Sequence, residues 1–588
     1  MIILEQHHSP VGHAHRRVLI LALGVLGASS IGCSLTGELT YSYDLIRLKE
    51  LPHRRGLVPG EPIYKSGSTS LLLGPERNEL DPADFELDPV KVNEVFGPVR
   101  PDEYQFVLLS DIQIRDRCVD LGYRTSRFLD KNPIMPIEVT LLNFYQDHAD
   151  VFYAGFVLKA IRMGLERNPN IDFVAHLGDS MQLGLRSELD TFTELVGKFL
   201  LRGDQAVSRE TWRAGWLTPT IELTGGRQRP FFNLLGNHDV MIMGNFNEGG
   251  PINPGGVGPG NTCISSLAKL KEAVSQTFGD GQESVSGCCP RPVMGGGTCE
   301  KGYYCVDREL PNGRFLRLIM LHSNEDNLLD PLFPGFQKGA LYPALSTGQY
   351  DWLVERLEES EVADSPIEGV LLFAHNGLAE IGVRRTDDRR QRDASQGELV
   401  ELLGHYQKVK GFFSGHLHSG CRPVLWKAQG HEFYEYLQPA IQEYPKCWAK
   451  VTLRCGSKGA GFSVRVDYYN IEDILDVSGS SQLDVDDTGH PADYQERFRQ
   501  WLVALDQAAP RVRDRVKLLA EYCYRGSRFD VRHDLREDVT LAFNPSNKER
   551  LLRVYQGADR FWSALKEDRL QWSDHRRLLE ADGLLEGR

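Results

Sequence analysis

The feature that most restricts this chain is a succession of apolar runs, each closing on a polar cluster, with helical patterns between them. YQFVLLSD ends at Asp111, IDFVAHLGDS at Gly178-Asp179, and RPFFNLLGNHD at Gly236-Asn237-His238-Asp239. GVLLFAHNG contains His375, and YQKVKGFFSGHLHSG ends in Gly415-His416-Leu417-His418. FVLKAIRMGLERNP and ELDTFTELVGKFLL, which lie between the first three runs, have helical spacing. Short apolar runs alternating with helices imply a parallel or mixed sheet with helices outside it, hence an α/β chain. In α/β sheets ligand sites lie at the carboxyl ends of strands, where these clusters fall.

The 588 residues allow two to four domains, or one large domain with insertions. With 41% hydrophobic and 25% charged residues, the composition argues against disorder, a collagen-like fibre or a multi-span membrane protein. A net charge of −14 does not favour nucleic acid or an anionic membrane as a bulk-charge partner. Arg16 and Arg17 precede an apolar stretch from Val18 to Ile31 that ends at Gly32-Cys33. The stretch is shorter than the ~20 residues a membrane-spanning helix needs. Residues 1–33 therefore read as a secretory signal with a lipobox-like end, Cys33 being acylated. An uncleaved signal anchor is the alternative. The expectation is an exported lipoprotein, periplasmic or at the cell surface, on the outer membrane if there is one. Residues 34–103 read as a stalk, 104–480 as the main domain with a Gly- and Cys-rich insertion at 244–305, and 481–588 as a helical C-terminal region.

Besides Cys33, ten cysteines remain: Cys118, Cys263, Cys288, Cys289, Cys299, Cys305, Cys421, Cys447, Cys455 and Cys523. An even number in an exported chain suggests disulfides, and a structural zinc site is the rival reading of the 263–305 cluster.

The clusters, in this order, resemble the calcineurin-like metallophosphoesterase superfamily, whose pattern is D-x-H, GD-x-x-D, GNH[ED], H, GH-x-H. The resemblance spans about residues 104–470. It implies a four-layer α/β fold with a β-sandwich core flanked by helices, and a site for two divalent ions (Mn, Fe, Zn or Mg). Carried over by position, Asp111, Gln113 and His418 would hold the first ion, Asp179 would bridge, and Asn237, His375 and His416 would hold the second. The reaction it implies is attack of a metal-bound hydroxide on a phosphate mono- or diester. His238 would stabilise the transferring group or protonate the leaving oxygen, with Asp239 orienting it. Three positions depart from the pattern. Gln113 stands where histidine is usual, which favours Mn, Mg or Fe over Zn, or else leaves that position to water. Gln182 stands at the usual second aspartate, and Asn376-Gly377 follows His375 in place of x-Pro.

Of the other candidates, His176 is expected in the core. His322 has either a structural or a substrate-facing position. Arg115 and Arg117 are loop charges within reach of a phosphate. Trp501 and Trp562 are expected to serve packing. Two functions follow: a metal-dependent phosphoesterase, or a non-catalytic surface lipoprotein that uses the same scaffold to bind a partner. Gln113 and Gln182 favour the second. The retained carboxylates and histidines favour the first, because so many buried polar groups without an ion are costly.

Overall fold

The structure, a computed structural model, describes residues 81–97, 100–114, 150–182, 184–202, 217–241, 264, 268–270, 272–273, 302–325, 343–378, 380–383, 395–396, 398–416, 418, 423–442, 446–455, 462–476, 511–525 and 539–542. Cys33, the stalk up to Leu80, Arg115, Arg117, Trp501, Trp562 and most of the 244–305 insertion lie outside the described residues.

Helix α1 (Pro89–Phe96) starts on Asp88, whose carboxylate accepts from the Val90 N–H at 2.9 Å. Strand β1 (Glu103–Leu109), helix α2 (Asp150–Arg167), strand β2 (Ile171–His176) and helix α3 (Arg186–Val196) follow. Next come β3 (Thr220–Glu222), β4 (Gln228–Asn233) and the single helical turn α4 (Asn237–Val240). The second half runs β5 (Tyr304–Glu309), β6 (Phe315–Met320), β7 (Ala344–Leu345), α5 (Thr347–Glu361), β8 (Ile367–Phe373), β9 (Gly382–Val383), β10 (Ser395–Gln396) and α6 (Glu398–Gly404). It continues with β11 (Val409–Ser414), β12 (Pro423–Ala428), β13 (His431–Leu437), β14 (Trp448–Cys455), β15 (Phe462–Tyr469), α7 (Val512–Arg525) and β16 (Val539–Ala542).

Two large sheets result, with strand orders β15-β14-β1-β2-β4-β3 and β16-β12-β13-β11-β8-β6-β5. A third, small sheet is β10-β9-β7. In the first, β1, β2 and β4 are parallel; in the second, β6, β8, β11 and β13 are parallel. Every residue of β1 is buried, as expected of a central strand covered on both faces.

The sheets face each other through phenylalanines. Phe106 of β1 meets Phe373 of β8 and Phe413 of β11 edge-on, at ring separations of 5.9 and 5.6 Å. Alternation along β8 divides its residues between two cores. Leu371 and Phe373 join the core shared with the first sheet, whereas Val370 and Leu372 join a second core with Trp352, Leu353 and Leu357 of α5 and Leu399 and Leu403 of α6. On the other side, Phe96 of α1 stacks on Trp448 of β14 and Phe192 of α3 lies 5.5 Å from the His176 ring. Helices therefore cover both outer faces, and the expected four-layer α/β sandwich is present.

In the C-terminal region, α7 packs against α2 and contributes Val516, Leu519 and Ala520 to the main core, while β16 pairs with β12. No described helix is long and apolar enough to cross a membrane.

One expectation is corrected. Cys305 is a buried thiol, not a disulfide half. Cys305 lies in β5 within the second core, and burial pushes its thiol up to about 12, so little reactive thiolate forms. Apart from the buried Cys447, the side chains of the other cysteines lie outside the described residues.

Candidate metal centre

The loops after β1 and β2 remain paired beyond the strands. Asp111 N–H donates to Gly178 O at 3.0 Å, Gln113 N–H to Asp179 O at 2.9 Å, and Ile114 N–H to Ser180 O at 2.9 Å. The backbone pays for this with strain. Among the described residues, seven non-glycine positions have positive φ, and five of them are Asp111, Gln113, Asp179, His416 and His418. Left-handed backbone costs of order 1–3 kcal/mol at such a residue, and its concentration at one place marks a functional constraint.

The glycines of the clusters permit close approach. A Cβ on Gly236 would lie 2.0 Å from Asp179 Oδ1, and one on Gly415 would lie 1.9 Å from Ser110 Oγ and 2.8 Å from Asp111 Oδ2. Gly236 thus lets two loops of the first sheet meet, and Gly415 lets the loops of the two sheets meet, at a separation that a methyl group would prevent.

The side chains gather in two groups around Asp179. In the first, His418 Nε2 lies 2.9 Å from Asp111 Oδ1, and the Gln113 amide nitrogen lies 3.2 Å from Asp179 Oδ2 and 3.4 Å from His418 Nε2. A half-turn of that amide would present its oxygen at the same point, since the two ends differ only by assignment. In the second, His375 Nε2 lies 2.9 Å from Asn237 Oδ1 and 3.3 Å from Asp179 Oδ2, and the His375 and His416 rings are 5.0 Å apart. Asp179, His375 and His416 each offer a ligand atom within 4.8 Å of the others. The structure therefore brings together all seven residues expected as ligands.

His238 stands beside them, its Nε2 3.9 Å from Asp179 Oδ2. Its ring is not held by Asp239, and the expected role of that carboxylate is corrected here. Asp239 accepts three backbone N–H groups, from Asp179 and Gly236 at Oδ2 and from Ser180 at Oδ1, each at 2.9 Å. It pins the Asp179 loop to the Asn237 loop. The ring Nδ1 of His238 lies 2.6 Å from the backbone carbonyl of Gln182 instead. Adjacent residues in a helical turn are rotated by about 100° about its axis and do not face each other, so Asp239 points away from the ring beside it.

Burial opposes the charge on Asp111 and Asp179, yet neighbouring imidazoles outweigh it. His418 and His375 hold Asp111 low, and His375 and His238 hold Asp179 well below the usual carboxylate range. Conversely burial would lower His375, but Asp179 and Asp111 raise it to about 9. Burial, then the charge on His375, pushes His416 down to about 3. The centre is thus a buried pair of ionised carboxylates that attracts positive charge. Hard oxygen donors alternating with imidazole suit first-row divalent ions, so the donor set fits them.

The remaining candidates are placed as follows. His176 is buried between Phe192 and Phe231 with its Nδ1 2.8 Å from Asn233 Oδ1, as expected of a core residue. His322 is buried at the end of β6, where Gln349 holds its backbone N–H and carbonyl at 2.9 and 3.0 Å. Asn376 is buried against Ser323 and Asn324. Sequence reasoning missed Ser110, whose hydroxyl donates to Asp111 Oδ2, and Glu380, 3.9 Å from His416 Nε2, which burial raises to about 8. It also missed Ile441 and Gln442, whose N–H groups brace Ser110 O and Asp111 O. None of these has a motif signature.

No protein-family model and no curated protein matches the chain. Among solved structures it is similar to a dimetal phosphatase from Danio rerio, at 13% identity and a TM-score of 0.30, over 63% of this chain and 99% of that one. That overlap is loose, and the reading of the centre rests on the residues themselves.

Proposed function

We propose that the chain is a metal-dependent phosphoesterase that hydrolyses a phosphate mono- or diester at this centre. One observation carries the reading. Two carboxylates, three imidazoles and two amides from both sheets converge on Asp179, five of the seven residues on strained backbone. Asp111, Gln113 and His418 would hold one divalent ion, Asn237, His375 and His416 a second, and Asp179 would face both. Such a pair supplies positive charge for phosphate oxygens and a strong nucleophile from water at neutral pH. The amide of Gln113 favours Mn, Mg or Fe over Zn.

The chain's own residues supply the remainder. The Gln182 carbonyl accepts from Nδ1 of His238, so the proton sits there and Nε2 faces Asp179. From that position a protonated His238 donates to a phosphoryl or leaving oxygen. Asp239 acts at one remove, as a positioning residue for the Asp179 loop. Phe373, two residues before His375, and Phe413, three before His416, stack with ring centroids 5.1 Å apart in the core between the sheets. The N-terminal pattern ending at Cys33 supports an exported, lipid-anchored enzyme; palmitate labelling that persists in Cys33→Ser would refute the anchor.

The test is metal-stripped protein assayed with a chromogenic phosphodiester and the matching monoester, each divalent ion being added back in turn. Hydrolysis should return with metal and fall about 10²–10⁴-fold in His238→Ala with metal content unchanged. Two bound ions without hydrolysis of either ester would favour the partner-binding scaffold.

A further inference from the structure

The loops that carry His375 and His416 are joined by a carboxylate outside the ligand pattern. Glu435 lies in β13 and is fully buried, in contact with the second core's Trp426. Its Oε1 accepts from the Leu378 N–H at 2.8 Å and from the Ser414 hydroxyl at 3.1 Å. Its Oε2 accepts from the Trp426 indole N–H at 2.9 Å. Leu378 lies three residues beyond His375, and Ser414 ends β11 two residues before His416. One oxygen therefore touches both ligand loops. The backbone bond from Gly415 N–H to His375 O, at 2.8 Å, joins the same loops nearer the rings. Glu435 closes the other end of that clasp. A carboxylate this deep is tolerable only because several donors satisfy it.

We propose that Glu435 is a positioning residue of the metal centre: by holding Leu378 and Ser414 at one oxygen it fixes the spacing of His375 and His416, and so sets the affinity and geometry of the ion they share. The proposal rests on the metal-centre reading above. Two rings 5.0 Å apart serve one ion only while their loops keep that separation. Removing partners that orient metal ligands typically weakens metal binding 10–100-fold.

The test uses the full-length chain stripped of metal, with Mn²⁺ and Co²⁺ as probes. In Glu435→Gln one oxygen remains, and an amide N–H meets a donor at the other position. Affinity for both ions should fall about 10–100-fold. The visible Co²⁺ spectrum should change as well, which a loss of stability alone would not cause. Trp426→Phe removes the Oε2 contact and leaves both loop contacts; it should lower stability while keeping wild-type affinity and spectrum. If Glu435→Gln does not fold, Ser414→Ala takes its place and must weaken metal binding more than Trp426→Phe does. Wild-type affinity and spectrum in Glu435→Gln, or equal weakening in Trp426→Phe, would overturn the proposal alone. A wild-type chain that binds neither ion would overturn the metal-centre reading, and this proposal with it.

Discussion

Replacing Gly415 by alanine probes how tightly the two sheets meet at the centre. The added Cβ would fall 1.9 Å from Ser110 Oγ, 2.8 Å from Asp111 Oδ2 and 3.1 Å from Ser110 Cβ. Ordinary contact begins at 3.4 Å, so the β11 loop must retreat by about 1.5 Å or Ser110 must move. Ser110 is fully buried and bonded to Asp111, which leaves it no room to turn away. The retreat carries His416 and His418 away from Asp111 and Asp179. A 1 Å misplacement of reacting groups costs about 10²-fold in rate, and overpacking costs about 1–3 kcal/mol in stability. Metal-restored hydrolysis should therefore drop about 100-fold, and urea melts should move by the stated amount. Ser110→Ala in the same chain removes the worst contact and leaves the 2.8 Å one, so the double variant should recover part of the lost stability. Wild-type hydrolysis and stability in Gly415→Ala would refute the close approach of the β1 and β11 loops.

Gln113→His replaces an amide by the softer imidazole and should shift ion preference toward Zn over Mn; unchanged selectivity in a competition titration would remove Gln113 from the ligand set. His176 is held neutral by burial, with a folded value of about 4 against 6.5. The unfolded chain therefore takes up a proton that the folded chain refuses. Stability from this residue is complete above pH 6.5 and is lost as pH falls, by about 3 kcal/mol at pH 4. His176→Gln should flatten that acid limb in urea melts, and an unaltered limb would contradict the assignment. Cys305 should resist a thiol reagent in the native protein and react in denaturant, as read by peptide mapping; labelling under native conditions would contradict its burial.

The strand ends were legible in the sequence because their signals are local. An apolar run that closes on Asp111, Asp179, Asn237, His375 or His416 needs no knowledge of distant residues. What was not legible depends on the meeting of distant segments. The role of Gly415 follows only once β1 and β11, whose Asp111 and His416 are 305 positions apart, face each other. Adjacency to His238 suggests the imidazole as the partner of Asp239, but it says nothing about where three backbone N–H groups converge. Cys305 fell within a cysteine-rich segment, yet its strand turns it into an apolar core. Glu435 carried a faint signal, since alternation in HEFYEYL puts it on one face with Phe433 and Leu437. An acid on an apolar strand face asks for a partner, and the partners lie on β11, on β12 and in the loop after β8.

The most direct test of the central claim is the metal content and hydrolysis of wild-type protein beside Asp179→Asn. With Asp179 facing both ion positions, wild type should bind two divalent ions per chain and hydrolyse a phosphate ester only when loaded. Asp179→Asn should lose ions and activity together. Hydrolysis that survives a chelator, or an Asp179→Asn chain that keeps both ions and full activity, would contradict the account.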